Sequence, residues 1–285
     1  MSEKVKLKGH ESFSIREGWI TKGLIEVKNN GKLFSEKDVT DILGIGTNMV
    51  KSLKYWLITA NLIEEEKKCF YRLTELGELI YKFDPYIEDI FTIYMIHIQI
   101  CTNTNKALIW SIFYNYCNMK EFSKRDLIEQ IEYYLNINNY EYNEKMLIDE
   151  INILLKTYTN EEKEDNPENN FICPLTELNL IKKVKKDLYY RNSADMDKLN
   201  MYIVYYLICK QAGKEISINI DEILKGKNSA GKLLNISKSE LNLYLDMLKR
   251  EKCITINKTA GLNMVYIHKK YELNKIFDLY FGEEI

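Results

Sequence analysis

The chain has 285 residues and a formal net charge of −2, with 46% hydrophobic and 29% charged residues. That is the composition of an ordinary globular protein with a sizeable core and room for two or three domains, and it excludes a uniformly acidic chain that would repel nucleic acid. The most apolar stretch, 87–100, is interrupted by Glu88, Asp89, His97 and Gln99 and is too short and polar to span a bilayer, so no membrane partner is expected.

Charge is uneven along the chain. Basic residues number 14 against 12 acidic ones in 1–82, 7 against 16 in 83–170, and 19 against 14 in 171–285. Affinity for a phosphate backbone follows the local patch, so basic ends around an acidic middle remain compatible with DNA binding. The Lys, Asn, Ile and Tyr excess is what AT-rich coding DNA gives unaided, so the 21 tyrosines are not read as a base-stacking surface. Six dispersed cysteines with no C-x-x-C pair and three scattered histidines predict reduced thiols, no structural zinc, no cofactor and a cytoplasmic protein. The charged N-terminus shows no signal peptide.

In chain order, Ser35 is placed to cap a short helix over 36–43, Gly44-Ile45-Gly46 makes a turn tolerant of positive φ, and a second helix runs from Thr47 to about Ala60. Its apolar stripe is Met49, Val50, Leu53, Trp56 and Leu57. Two strands around the tip Glu65-Glu66-Lys67-Lys68 are expected to make a wing, and Thr74 opens another helix. The pattern recurs after a helical bridge: Phe122-Ser123 repeats Phe34-Ser35, and Asn143 caps a second helix. An acid-rich loop follows over 159–170, and Leu178-Asn179-Leu180-Ile181 echoes Ala60-Asn61-Leu62-Ile63 before a short strand 188–191. Near the C-terminus, an apolar helix from Met201, a strand 216–220, a short helix capped by Asp221 and a helix capped by Ser237 precede two strands around Thr259-Ala260-Gly261. The expected fold is mainly α with small β wings, as tandem winged helix-turn-helix units. The expected domains are 1–83, 84–192 (a degenerate second unit) and 193–285.

A family signature runs through these elements. Gly9-His10-Glu11-Ser12-Phe13, Arg16, Gly18-Trp19-Ile20, Leu43-Gly44-Ile45-Gly46-x-Asn48-Met49-Val50, Tyr55-Trp56-Leu57, Leu73-Thr74-Glu75-Leu76-Gly77 and Cys173-Pro174-Leu175 resemble the bacterial domain of unknown function 4007. The family tends to have Gly where this chain has Asn179, and Pro where it has Ala230. The resemblance implies a place in anti-phage defence loci, beside a sulfurtransferase-like partner used in DNA phosphorothioate modification; the family has no agreed activity.

The second helix of the first unit offers Thr47, Asn48, Lys51, Ser52, Lys54 and Tyr55 on its non-core face. Asn pairs bidentately with adenine and lysines suit phosphates. The third unit offers Lys232, Lys238 and Asn242. His10, Glu11 and Arg16 form a polar cluster with two readings. One is an acid/base or phosphate-binding group; the other is an anchor in which Glu11 and Arg16 pair and His10 bonds backbone, the reading Phe13 and Trp19 favour. Asp84, Glu88 and Asp89 could ligate a metal, but Asp84 as N-cap with Pro85 at the first helical position explains them better. No metal site is expected, and no phosphate-loop, dinucleotide, zincin or hydrolase motif occurs, so no catalytic residue is assigned. The expected partners are double-stranded DNA and the proteins of a modification or defence complex, with a DNA-free scaffold as the alternative.

Overall fold

The computed structural model describes residues 3–159, 172–259 and 262–282. It is mainly helical with small sheets, and the chain divides into two compact units, 1–192 and 193–285. The expected acid-rich loop and the turn at 260–261 lie outside the described residues, apart from Thr159 and the flanking strand ends.

In the first unit, β1 (Glu3–Lys4) leads through an N-terminal arm to α1 (Trp19–Asn29). A 3-10 turn at Leu33–Ser35 precedes α2 (Val39–Leu43) and α3 (Thr47–Thr59). The expected cap at Ser35 is therefore corrected: Leu33 is buried and the Phe34 ring meets Tyr71 edge-on at 5.7 Å, which fixes residues 33–35 as a tight turn and delays the helix to Val39. Gly44 takes the left-handed conformation (φ 63°) that ends α2, where Lys22 Nζ donates to the Leu43 carbonyl at 3.0 Å. A hairpin of β2 (Ile63–Lys67) and β3 (Phe70–Leu73) follows, and Tyr71 N–H donates to the Gly31 carbonyl at 2.7 Å, tying the segment before α2 to the sheet edge. Thr74 caps α4 (Glu75–Phe83) by accepting from Gly77 N–H at 3.0 Å. A Cβ on Gly77 would lie 2.1 Å from the Leu62 carbonyl oxygen, so only glycine fits there.

Asp84 caps no helix. Its carboxylate accepts the Glu88 and Asp89 N–H groups at 3.0 and 3.1 Å, closing a turn, and Asp89 caps α5 (Ile90–Thr102) instead. α5 and α6 (Leu108–Tyr116) are apolar on nearly every side and form the centre of this unit. β4 (Glu121–Phe122), α7 (Lys124–Ile137), β5 (Tyr140–Glu141) and α8 (Glu144–Tyr158) come next. β5 pairs in parallel with β1. Ser123 and Asp126 form a reciprocal capping box on α7, and Asn143 caps α8. After a 3-10 turn at Pro174–Leu178, β6 (Ile181–Lys185) and β7 (Leu188–Arg191) make a second hairpin, and the sheet order is β4-β7-β6.

In the second unit, α9 (Met201–Ala212) is followed by β8 (Ser217–Asn219), α10 (Ile220–Lys225) and α11 (Ala230–Leu233). α12 (Lys238–Arg250), β9 (Ile254–Thr259), β10 (Leu262–Ile267) and α13 (Leu273–Phe281) complete it. The cap of α10 is Asn219, accepting from Asp221 N–H at 2.8 Å, and not Asp221, because the helix begins at Ile220. Its sheet order, β8-β10-β9, repeats that of β4-β7-β6: an edge strand before the helices pairs with the last strand of the hairpin. Among the described residues no helix is long and apolar enough to cross a membrane.

Candidate nucleic-acid interface

α3 is held by Val50, Leu53, Trp56 and Leu57, all buried. Its N-terminal end is open: Thr47, Asn48 and Lys51 are exposed, and Lys51 Nζ donates to Asn48 Oδ1 at 3.3 Å. Glu11 lies 3.9 Å from the same ammonium. Two expected members of this face turn inward instead. Ser52 is fully buried with its hydroxyl 3.5 Å from the Phe13 carbonyl, and Tyr55 is 9% exposed, donating to the Lys106 carbonyl at 2.7 Å. The reason is the N-terminal arm, which crosses this side of α3 and accepts the Trp56 indole N–H on the Phe13 carbonyl at 2.9 Å. Burial, reinforced by the charge of Glu150, raises the Tyr55 hydroxyl far above the usual phenol range and keeps it a donor. Lys54 is half-buried, its ammonium 4.5 Å from the Tyr71 ring centre and 5.7 Å from that of Phe34, so it braces the hairpin.

His10, Glu11 and Arg16 do not converge on one site. His10 is fully buried; its Nδ1 accepts the Ser12 N–H at 3.1 Å, which leaves the proton on Nε2 to be donated to Glu150 Oε2 at 2.9 Å. Glu150 accepts Lys8 N–H as well, at 2.8 Å. The imidazole stacks on Trp56 and meets Tyr55 and Trp110 edge-on. Arg16 lies over the Phe13 and Trp19 rings at 5.4 and 5.5 Å. His10 thus pins the arm onto α8 through a carboxylate 140 residues away, a partner that no local pattern could name.

A second polar group sits in the core. His97 Nδ1 lies 2.7 Å from the Tyr158 hydroxyl and 3.5 Å from Cys101 Sγ, with the Tyr114 ring edge-on to the imidazole. All four side chains are closed to solvent. Burial pushes the Cys101 thiol well above its ordinary range and favours its protonated form. Among the described residues no group of three or more His, Cys, Asp or Glu side chains could hold a metal.

In the second unit Lys238 is exposed at the start of α12, and Asn242 is half-buried one turn on. Lys232 is half-buried on α11, its N–H donating to the Ser229 hydroxyl at 3.2 Å. Sequence reasoning missed the lysines of the β6–β7 hairpin, Lys182, Lys183, Lys185 and Lys186, all exposed. It also missed an open groove of about 660 Å³ beside α7, where Tyr133 and Ile137 stand 68% and 58% exposed near Tyr116, Asp126 and Glu129.

A family model described as a protein of unknown function, DUF4007, matches residues 7–281. The chain belongs to the DUF4007 family. Its fold is shared with a crystal structure described as magnesium ion-bound SspB, at a TM-score of 0.87 and 19% identity, covering 98% of this chain and 89% of that one. A second SspB crystal structure matches with a TM-score of 0.84 at the same identity and coverage. No curated protein matches the sequence. Both departures from the family pattern fit their places. Asn179 adopts the left-handed conformation (φ 50°) that asparagine tolerates, and Ala230 starts α11 behind the Ser229 cap.

Proposed function

We propose that this DUF4007 protein is a DNA-binding accessory protein of a bacterial DNA-modification or anti-phage defence system, acting in recognition or recruitment, built from winged helix-turn-helix units in series. The observation that carries the reading is the open N-terminal end of α3. Thr47, Asn48 and Lys51 project there from a helix set across a glycine turn from α2 and flanked by a hairpin. A helix presented in this way enters a major groove with its first residues on base edges. Asn48 and Thr47 are the base-edge candidates and Lys51 a phosphate contact, while Ser52 and Tyr55 serve the core. Lys238 and Asn242 offer a second contact on α12. The defence context rests on the family resemblance alone.

The test is a mobility-shift titration of short duplexes, plain and phosphorothioate-modified, comparing the native chain with Asn48→Ala/Lys51→Glu. Retained but weaker, less sequence-selective binding by the variant supports the assignment. Indistinguishable binding removes α3 from the interface. A DNA-free scaffold is the second reading, favoured by the exposed Tyr133 and Ile137 beside an open groove. Failure of the native chain to shift any duplex, with capture of partner proteins lost on Tyr133→Ser/Ile137→Ser, would select it.

A further inference from the structure

We infer that the β6–β7 hairpin, and not the end of α3, supplies the main grip on the phosphate backbone of duplex DNA. This rests on the DNA-binding reading and locates its electrostatic part. The hairpin reads Lys182-Lys183-Val184-Lys185-Lys186-Asp187, with all four lysines exposed. Among the described residues none of the four is in a salt bridge. The one acid, Asp187, is turned to the start of α7, where its Oδ1 accepts the Lys124 N–H at 3.3 Å. Lys120, just before β4, adds a cation with its ammonium 5.5 Å from the Tyr190 ring centre, while β4 itself brings the exposed Glu121 beside Tyr190, which lies directly across from Lys182.

The charges are spread along the hairpin as a phosphate backbone requires. At about 3.3 Å per residue the extended part, Lys182 to Lys185, covers about 10 Å, and Lys186 follows in the turn. That is the axial length of about three base pairs. Lysine stems carry compact charges that adjust independently, which suits positioning on a backbone and not base reading. α8, which precedes this hairpin as α3 precedes its own, is poorly placed to compete for DNA. It opens with Glu144, its Asp149 pairs with Lys8, and its Glu150 is buried under His10. The β2–β3 hairpin is electrically balanced, with Glu64, Glu65 and Glu66 against Lys67, Lys68 and Arg72. Glu64 is also tied to Arg72 at 2.8 Å.

The experiment titrates the full chain against a labelled duplex by fluorescence anisotropy, between about 50 and 200 mM salt. It compares the native chain with Lys182→Gln/Lys183→Gln/Lys185→Gln/Lys186→Gln and with the matching four Lys→Arg substitutions. Circular dichroism confirms that each variant is folded. The glutamine variant should lose at least about tenfold in affinity at the lowest salt, with a log–log salt slope shallower by about three to four. The arginine variant should bind like the native chain. Native affinity and slope in the glutamine variant overturn the hairpin assignment while leaving DNA binding intact. So does equal loss in both variants, since charge is then not the cause. A native chain that binds no duplex overturns both this inference and the function it rests on.

Discussion

The β2–β3 and β6–β7 hairpins share one backbone. Ile63 and Ile181 open them opposite Leu73 and Arg191, the register shifts between Glu65 and Lys67 in one and between Lys183 and Lys185 in the other, and both turns place a left-handed residue, Cys69 or Asp187. Each is entered through a left-handed asparagine, Asn61 or Asn179, two residues before the first strand. Matching positions keep Ile63 and Ile181, Lys67 and Lys185, Lys68 and Lys186, and Tyr71 and Tyr189, but Lys182 and Lys183 stand where the first hairpin has Glu64 and Glu65, and Arg191 where it has Leu73. Leu73 fills the core, whereas Arg191, equally buried, donates to the Cys117 and Tyr114 carbonyls at 2.7 and 3.1 Å and so satisfies the end of α6. Outside, a balanced set of acids and bases stands against four lysines. Turn conformations and the bulge set the backbone, and the exposed positions are free to vary.

The largest expected effects come from forcing one region to imitate the other. Leu73→Arg places a guanidinium where none of the α6 carbonyls awaits it, and should cost about 3–5 kcal/mol in urea unfolding. A loss below about 1 kcal/mol would mean the two interiors are interchangeable after all. His10→Ala uncovers α8 and strands the Glu150 carboxylate, with a similar loss of about 3–5 kcal/mol, whereas Glu150→Gln, which still accepts from His10 and Lys8, should cost about 1 kcal/mol. Arg191→Leu, the reverse exchange, leaves α6 carbonyls short of donors and should cost about 2–3 kcal/mol.

Smaller effects sharpen the contrast at the surface. Ser123→Ala removes the α7 cap next to the lysine hairpin and should lower stability by about 1 kcal/mol. The Ser123 backbone N–H, then its hydroxyl, holds the Asp126 carboxyl below its ordinary 3.8. A depressed folded value means this contribution is complete above the ordinary range and vanishes as pH falls through the folded value. Melting temperature against pH should therefore fall less steeply in acid for Asp126→Asn than for the native chain. Smallest of all, Lys67→Gln/Lys68→Gln in the balanced hairpin should change duplex affinity less than about threefold, against the tenfold or greater loss on the lysine hairpin.

Much of this was legible in the chain. The stripe of Val50, Leu53, Trp56 and Leu57 gave α3, and the caps at Thr74, Asn143 and Ser237 marked three helix starts. Ser52 and Tyr55 were misplaced because a helical wheel shows only what a helix carries, while the arm and the 103–107 turn that cover them come from other parts of the sequence. The lysine hairpin escaped notice for a different reason. β2 and β6 bury only their first residue, so neither shows the alternating apolar pattern that betrays a strand. The shared Asn-Leu-Ile entry pairs them, and aligning the next residues behind it also matches Lys67-Lys68 with Lys185-Lys186 and Tyr71 with Tyr189.

The most direct test of DNA binding itself is a titration of the native chain against duplex DNA at low and at physiological salt. Micromolar or tighter binding at low salt that weakens steeply as salt rises is the predicted result. Absence of binding to plain and phosphorothioate duplexes alike at low salt would contradict it and turn attention to the groove beside α7.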